Sequence, residues 1–81
     1  MGSEADIRAL ERIIVQYAGP LGKFVVKKSL ADLGCDTMNL TPDIRPKLVD
    51  MVLERAIYDR ERWHAIRREI TEAWKGGGAD A

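Results

Sequence analysis

The spacing of apolar residues along the chain predicts helices, because they recur at intervals of three and four and so share one helix face. The first helix is predicted from Glu4 to Ala18. One of its sides is apolar and carries Ile7, Leu10, Ile13, Ile14 and Tyr17. A single stripe of this kind is typical of a surface helix with one buried face. Ser3 and Asp6 have the spacing of a capping box at its start.

The stretch "YAGPLGKFVVKK" separates this helix from the next. Gly19 can adopt the left-handed conformation that ends a helix, and Pro20 suits the first turn of a new one. Gly22 has no Cβ and so allows the two helices to approach closely. We therefore predict a sharp structural corner that consists of Gly19, Pro20, Leu21 and Gly22.

The second helix is predicted from about Leu21 to Leu33, with Gly34 as its end. Its broad inner side is expected to hold Leu21, Val25, Val26, Leu30 and Leu33. Phe24 falls on the opposite side, beside Lys27, Lys28 and Ala31. A helix with apolar residues on two sides is either central in a fold, which is the commoner case, or in contact with a partner.

The third helix follows a loop rich in turn residues, and Thr41 or Asp43 is predicted to cap it. It is expected to run to Tyr58. Apolar residues cover most of its circumference: Ile44, Leu48, Val49, Met51, Val52, Leu53, Ala56 and Ile57. This pattern predicts that the third helix is the most buried and lies at the centre of the bundle.

The fourth helix is predicted to start after a capping Asp59 and to run to about Lys75, with Trp63, Ile66, Ile70, Ala73 and Trp74 on one side. No stretch alternates long enough to predict a strand. The expected fold is all-α, a compact bundle of four short helices. It forms a single domain over residues 4–75, with residues 1–3 as a tail or tag scar and residues 76–81 as a flexible C-terminal tail.

The bulk composition narrows the class of function. The chain has 81 residues, and its 13 basic residues balance its 13 acidic ones. Zero net charge gives no overall field to attract nucleic acid or an anionic membrane, and no apolar run is long enough to span a bilayer. Cys35 is the single cysteine, so no internal disulfide can form. A lone thiol and the absence of a secretory signal favour a cytoplasmic location.

The candidate chemical sites are weak. "GPLGK" resembles a phosphate-binding loop, but its glycines are too close together and Phe24 replaces the hydroxyl that binds magnesium. Cys35 follows a helix end, where the dipole disfavours a thiolate. Cys35 and His64 are the only strong soft or borderline metal ligands, and His64 is expected to be solvated. We therefore expect no catalytic residue, no cofactor and no metal.

Nucleic-acid binding is the alternative hypothesis. Two helices joined by a glycine-containing turn are part of a helix-turn-helix, and Lys23, Lys27 and Lys28 lie on the second helix. Lysines hold phosphates but specify little sequence, and this helix offers Lys, Phe, Lys and Ala where a reading helix presents polar residues.

Protein binding is the favoured hypothesis. Aromatic residues and arginine are enriched in interface hot spots. The interaction candidates are Phe24, Lys27, Lys28, Trp63, Arg67 and Trp74. Trp63 is more often a core residue in such a position, and Trp74 is expected to be half covered. A homodimer is one expected form, because a symmetric interface would bury more of a chain with 46% hydrophobic residues.

The segments "LERIIVQYAGPLGKFVVKK" and "LVDMVLERAIYDRERWHAI" resemble a small helical domain at the ends of bacterial and archaeal signalling proteins, including Ser/Thr kinases and response-regulator-like chains. Its signature is Gly-Pro-[Ile/Leu]-[Ala/Gly] between two helices, with an Asp before the last helix. The resemblance covers about residues 7 to 70. Here Gly22 stands in place of the more usual alanine, which is expected to loosen the start of the second helix. The resemblance implies a non-catalytic module for association or regulation.

Overall fold

The structure is a computed structural model that describes residues 4–35 and 40–79, with the side chains of residues 76–79 excepted. These residues form an all-α bundle, as predicted. Its elements are α1 (Glu4–Ala18), α2 (Leu21–Asp32), α3 (Ile44–Ala56), a 3-10 turn (Arg60–Arg62) and α4 (Trp63–Ala79). Ser3, and with it the predicted capping box, lies outside the described residues, as do residues 36–39 of the predicted loop.

The corner between α1 and α2 forms as predicted. Gly19 has a φ of +85°, in the left-handed region, and its amide donates a 2.8 Å hydrogen bond to the carbonyl of Val15. Pro20 already has helical angles, with φ −56° and ψ −28°. The amide of Gly22 then donates to the carbonyl of Gly19 at 2.9 Å. The chain therefore passes from α1 to α2 without leaving the amides of Gly19 and Gly22 unpaired.

Gly22 sets how closely α1 and α2 approach. A Cβ at this position would lie 2.8 Å from Cγ2 of Ile14 and 3.1 Å from its carbonyl carbon and oxygen. Because Ile14 is fully buried, it has little room to move away. The absence of a Cβ at Gly22 therefore permits the close approach of the two helices, as predicted.

Gly34 ends α2, also as predicted. It has a φ of +73°, and its amide donates to the carbonyl of Ala31 at 3.0 Å. The next amide, of Cys35, donates to the carbonyl of Leu30 at 3.0 Å. These two bonds form a Schellman motif, which satisfies the last carbonyls of the helix.

Helix α3 does not lie at the centre of the bundle, where it was predicted to be. Helix α1 packs against both α2 and α4, and α2 packs against α3. The prediction that α3 is central is therefore wrong. Its buried residues are Leu48, Val49, Val52 and Leu53, which form one side only, whereas Met51 is half-buried. Sequence alone could not show which apolar residues would face a neighbour.

Both ends of α3 also differ from the prediction. The side chain of Asp43 makes no capping bond, and the carbonyl of Thr41 instead accepts bonds from the amides of Ile44 and Arg45, both at 3.1 Å. Helix α3 ends at Ala56 rather than at Tyr58, because Ile57 adopts an extended conformation with φ −118° and ψ 109°. The chain then turns toward α4.

The predicted cap at Asp59 is confirmed in an altered form. Its carboxylate accepts a 3.1 Å hydrogen bond from the amide of Glu61, at the start of the 3-10 turn that leads into α4. Helix α4 continues past the predicted end at Lys75 to Ala79. None of the helices in the described part of the chain combines the length and the apolar character needed to cross a membrane.

Candidate protein-binding surface

Helix α2 has one face inside the bundle and one outside. Gly22, Val26, Ser29 and Leu30 are buried against the neighbouring helices. On the other side, Leu21 is 73% exposed and Phe24 is 64% exposed. We use the name α2 outer face for the exposed set, which consists of Leu21, Phe24, Lys27, Lys28 and Ala31.

The rotation of α2 explains why this face is exposed. The contact between Gly22 and Ile14 points the Gly22 side of the helix at α1. Leu21 is one position earlier, about 100° away around a helix, and therefore turns outward. The prediction that Leu21 lies on the inner side is wrong for this reason. Phe24 lies opposite the buried side and is exposed, while α2 packs against both α1 and α3.

An ion pair and a hydrogen bond connect the C-terminal part of α2 to α3. Arg55 pairs with Asp32 at 2.7 Å between Nη2 and Oδ2, and its Nη1 donates a 3.4 Å hydrogen bond to the hydroxyl of Ser29. Ser29 is the polar residue of the described part that is buried in the core. These contacts place the Asp32 edge of α2 on the α3 side and fix the orientation of the outer face.

The opposite edge of α2 borders a basic groove. Lys23 lines a shallow groove between α1 and α2 together with Arg8, Glu11, Arg12, Val15 and Gln16. Lys27 lies one turn after Lys23, between this groove and Phe24. The exposed apolar residues of α2 therefore have cations along the side that faces α1.

Among the described residues, the ion pairs of the bundle do not include Lys23, Lys27 or Lys28. Among the described residues, each ion pair joins an arginine to an aspartate: Arg45–Asp6, Arg55–Asp32, Arg62–Asp59 and Arg67–Asp50. Within that part of the chain, no carboxylate lies within ion-pair distance of Lys23, Lys27 or Lys28. Because Asp32 already pairs with Arg55, the nearest acidic residue on α2 does not neutralise the outer face.

Each of the two tryptophans forms a hydrogen bond with a backbone carbonyl of the same chain. The indole Nε1–H of Trp63 donates a 2.9 Å hydrogen bond to the carbonyl of Ile57, and that of Trp74 donates at the same distance to the carbonyl of Asp6. Arg60 lies 5.1 Å from the ring centroid of Trp63, and Arg45 lies 4.8 Å from that of Trp74. Both rings are half-buried and pack on the core.

Arg67, the remaining candidate, pairs with Asp50 of α3 at 2.6 Å between Nη1 and Oδ1. The six interaction candidates therefore fall into two groups. Phe24, Lys27 and Lys28 lie together on the α2 outer face. The candidates on α4 each contact another part of the same chain.

A second exposed aromatic region lies at the end of α3. Tyr58 is fully exposed, and Tyr17 is 38% exposed beside a cleft that Ala18, Ala56, Ile57, Asp59 and Arg62 also line. The hydroxyl of Tyr17 donates a 2.6 Å hydrogen bond to Glu69, and this bond raises the pKa of Tyr17 above its ordinary value near 10.0. Sequence reasoning missed the exposure of Tyr58, whose position between a helix end and a capping Asp was the available signal.

Cys35 and His64 are the two residues that were considered above as candidates for chemistry. Cys35 is half-buried, and its thiol donates to the carbonyl of Leu33 at 3.7 Å. His64 is exposed on α4, as expected. Among the described residues, no group of three or more His, Cys, Asp or Glu side chains is arranged to hold a metal ion. The α2 outer face is therefore the strongest candidate site in this part of the chain.

The exposed apolar residues of α2 thus lie on a helix whose other face is fixed against α1 and α3. Comparison of the chain with protein-family models, with curated proteins and with solved structures finds no match.

Proposed function

We propose that this chain is a non-catalytic interaction module of a signalling or regulatory protein in the cytoplasm, and that it binds another protein through the α2 outer face. The observation that carries the proposal is the exposure of Leu21 and Phe24, one turn apart on the same side of a packed helix. Large apolar side chains that lie together at the surface, bordered by polar residues, are typical of protein-binding sites.

The contacts that fix the position of α2 in the bundle support the same function. Its start is set by the left-handed Gly19 and its end by the left-handed Gly34. Its inner side is held by the close contact at Gly22 and by the bonds of Arg55. A surface that is already ordered loses less conformational entropy when it binds, which favours affinity.

Site-specific photo-crosslinking in cells tests this proposal. A photoreactive phenylalanine analogue replaces Phe24 in the full chain, and a matched protein carries it at Arg68, which is exposed on α4. We expect a discrete crosslinked protein from position 24 that is absent from position 68. Its mass separates a second copy of the chain from a different protein. Equal crosslinking at the two positions, or none at position 24, would overturn the proposal.

A further inference from the structure

We infer that the partner of the α2 outer face is an acidic amphipathic segment of another protein, with apolar residues that pack on Leu21 and Phe24 and carboxylates that reach the surrounding cations. This inference rests on the proposed function and names the chemistry of the partner. Its two arguments are the shape of the apolar ridge and the distribution of charge around it.

The apolar part of the face is a short ridge. Leu21 and Phe24 are three residues apart, so their Cα atoms are separated by about 4.5 Å along the helix axis. Ala31 lies two turns after Phe24 on the same side and leaves space beyond the ring. A partner helix with apolar residues three or four apart would present one side chain to each part of this ridge.

The charge around the ridge is positive on both sides. Lys23 and Lys27 lie on the edge that faces α1, and Lys28 lies one turn after Phe24 on the other edge. The groove next to Lys23 adds Arg8 and Arg12, against a single acidic residue, Glu11. Charge complementarity therefore selects carboxylates in the partner and speeds its association.

The same charges disfavour a second copy of the chain on this face. In a symmetric dimer, residues of one copy meet the same patch of the other copy. Both patches would then carry Lys27 and Lys28 without carboxylates to match them, and an excess of like charge across an interface weakens it. Asp32 could not offset them, since it is already paired with Arg55.

The exposed apolar side chains distinguish an acidic protein segment from duplex nucleic acid or a lipid surface. Phosphates are contacted by cations, polar side chains and backbone N–H groups, so phosphate binding gives no reason for Leu21 and Phe24 to be exposed at the centre of the face. Stable surface binding to a membrane needs a broad apolar helix face. Helix α2 has already buried its broad face in the core and offers two large apolar side chains.

Selection from a library of random peptides displayed on phage, with the full 81-residue chain as the target, tests the inference. Selected peptides are then synthesised, and their affinities are measured by fluorescence anisotropy. We expect enrichment of sequences with apolar residues three or four apart and flanking Asp or Glu. We expect Phe24→Asp, and separately Lys27→Glu with Lys28→Glu, to weaken binding at least about tenfold, the effect of a hot-spot residue.

Arg68→Glu is the control, because it reverses one positive charge at an exposed position of α4 and should leave affinity unchanged. Circular dichroism of each variant shows whether it is folded. Raising the salt concentration from about 0.05 M to about 0.5 M should weaken the acidic peptides, because it screens exposed charges. An affinity that does not change with salt would overturn the electrostatic part of the inference.

Other outcomes overturn the inference in distinguishable ways. Selected peptides that need Phe24 but carry no acidic residues would leave the proposed function intact and refute the acidic partner. Peptides that bind regardless of Phe24 would refute both. Tighter binding of duplex DNA or of vesicles with anionic lipid would assign the face to phosphates. Self-association that Phe24→Asp abolishes would assign it to a second copy.

Discussion

The α2 outer face and the edges of α4 carry similar residues, since both place aromatic rings next to basic side chains. They differ in what those side chains contact. On α4, the indoles of Trp63 and Trp74 donate hydrogen bonds to Ile57 and Asp6. On α2, Phe24 is mostly exposed, and the neighbouring lysines have no carboxylate partner among the described residues.

This difference divides residues of the types enriched at interfaces into two sets within one small domain. The rings and guanidinium groups of α4 connect distant parts of the chain and so stabilise its fold. The ring and the ammonium groups of α2 are exposed to solvent. Substitutions in the two regions should therefore separate stability from association.

The largest expected effect is on the stability of a Trp74→Ala variant. Trp74 joins the end of α4 to the start of α1 through Asp6, and its ring also lies against Arg45. Removal of a packed tryptophan costs about 3 kcal/mol or more of unfolding free energy. Urea denaturation followed by circular dichroism measures this. Trp74→Phe is the control, since it keeps a ring and should cost less. A loss below about 0.5 kcal/mol, typical of neutral surface changes, would contradict the assigned role.

A smaller loss is expected at the inner side of α2, for Gly22→Ala. The added methyl group would lie 2.8 Å from Cγ2 of the buried Ile14. Overpacking of this kind costs about 1–3 kcal/mol. Alanine is the more usual residue at this position in the signalling-protein domains that the sequence resembles, so the variant tests whether this chain needs glycine there. Thermal unfolding of the two proteins gives the difference. An unchanged or raised melting temperature would show that α1 and α2 can separate without cost.

At the corner, Gly19→Val should destabilise the fold by about 1–2 kcal/mol, because Gly19 has a positive φ that a β-branched residue adopts poorly. Open space surrounds the position of its missing Cβ, so a steric clash is not the cause. Gly19→Asn tests this reasoning, since asparagine tolerates the left-handed region better and should cost less. Equal melting temperatures for the wild type and the valine variant would refute the conformational argument.

The smallest effect on stability is expected for Phe24→Asp, within about 0.5 kcal/mol, as for other exposed positions. The new carboxylate would lie near the start of α2 and one turn before Lys28, where both the helix dipole and the ammonium group favour it. Urea denaturation next to Trp74→Ala provides the direct contrast. A loss comparable to that of Trp74→Ala would place Phe24 among the residues that hold the fold together.

Local patterns predicted much of the fold. The bounds of α1, the left-handed Gly19 and Gly34, and the position of Phe24 opposite the buried side of α2 all depend on residues close in sequence. Helical periodicity and glycine stereochemistry act over a few residues, so the sequence alone is sufficient for them. The candidate lysines on the outer face followed from the same periodicity.

The remaining features depend on contacts between distant residues. The outward turn of Leu21 is set by the approach of Gly22 to Ile14 on another helix. The role of Trp74 depends on the carbonyl of Asp6, which is 68 residues away in the chain. Helix α3 looks apolar on most sides, but only packing determines which side is buried. No local pattern carries this information.

The most direct test of the central claim is a chemical-shift map of the ¹⁵N-labelled protein as an acidic peptide from the selection is added. The indole N–H signals of Trp63 and Trp74 report on α4, and the backbone amides of Leu21–Asp32 report on α2. We predict that the shifts concentrate in α2 and the adjoining part of α1, while both indole signals stay in place. Large shifts of the indole signals, with α2 unaffected, would contradict the assignment of the α2 outer face as the binding surface.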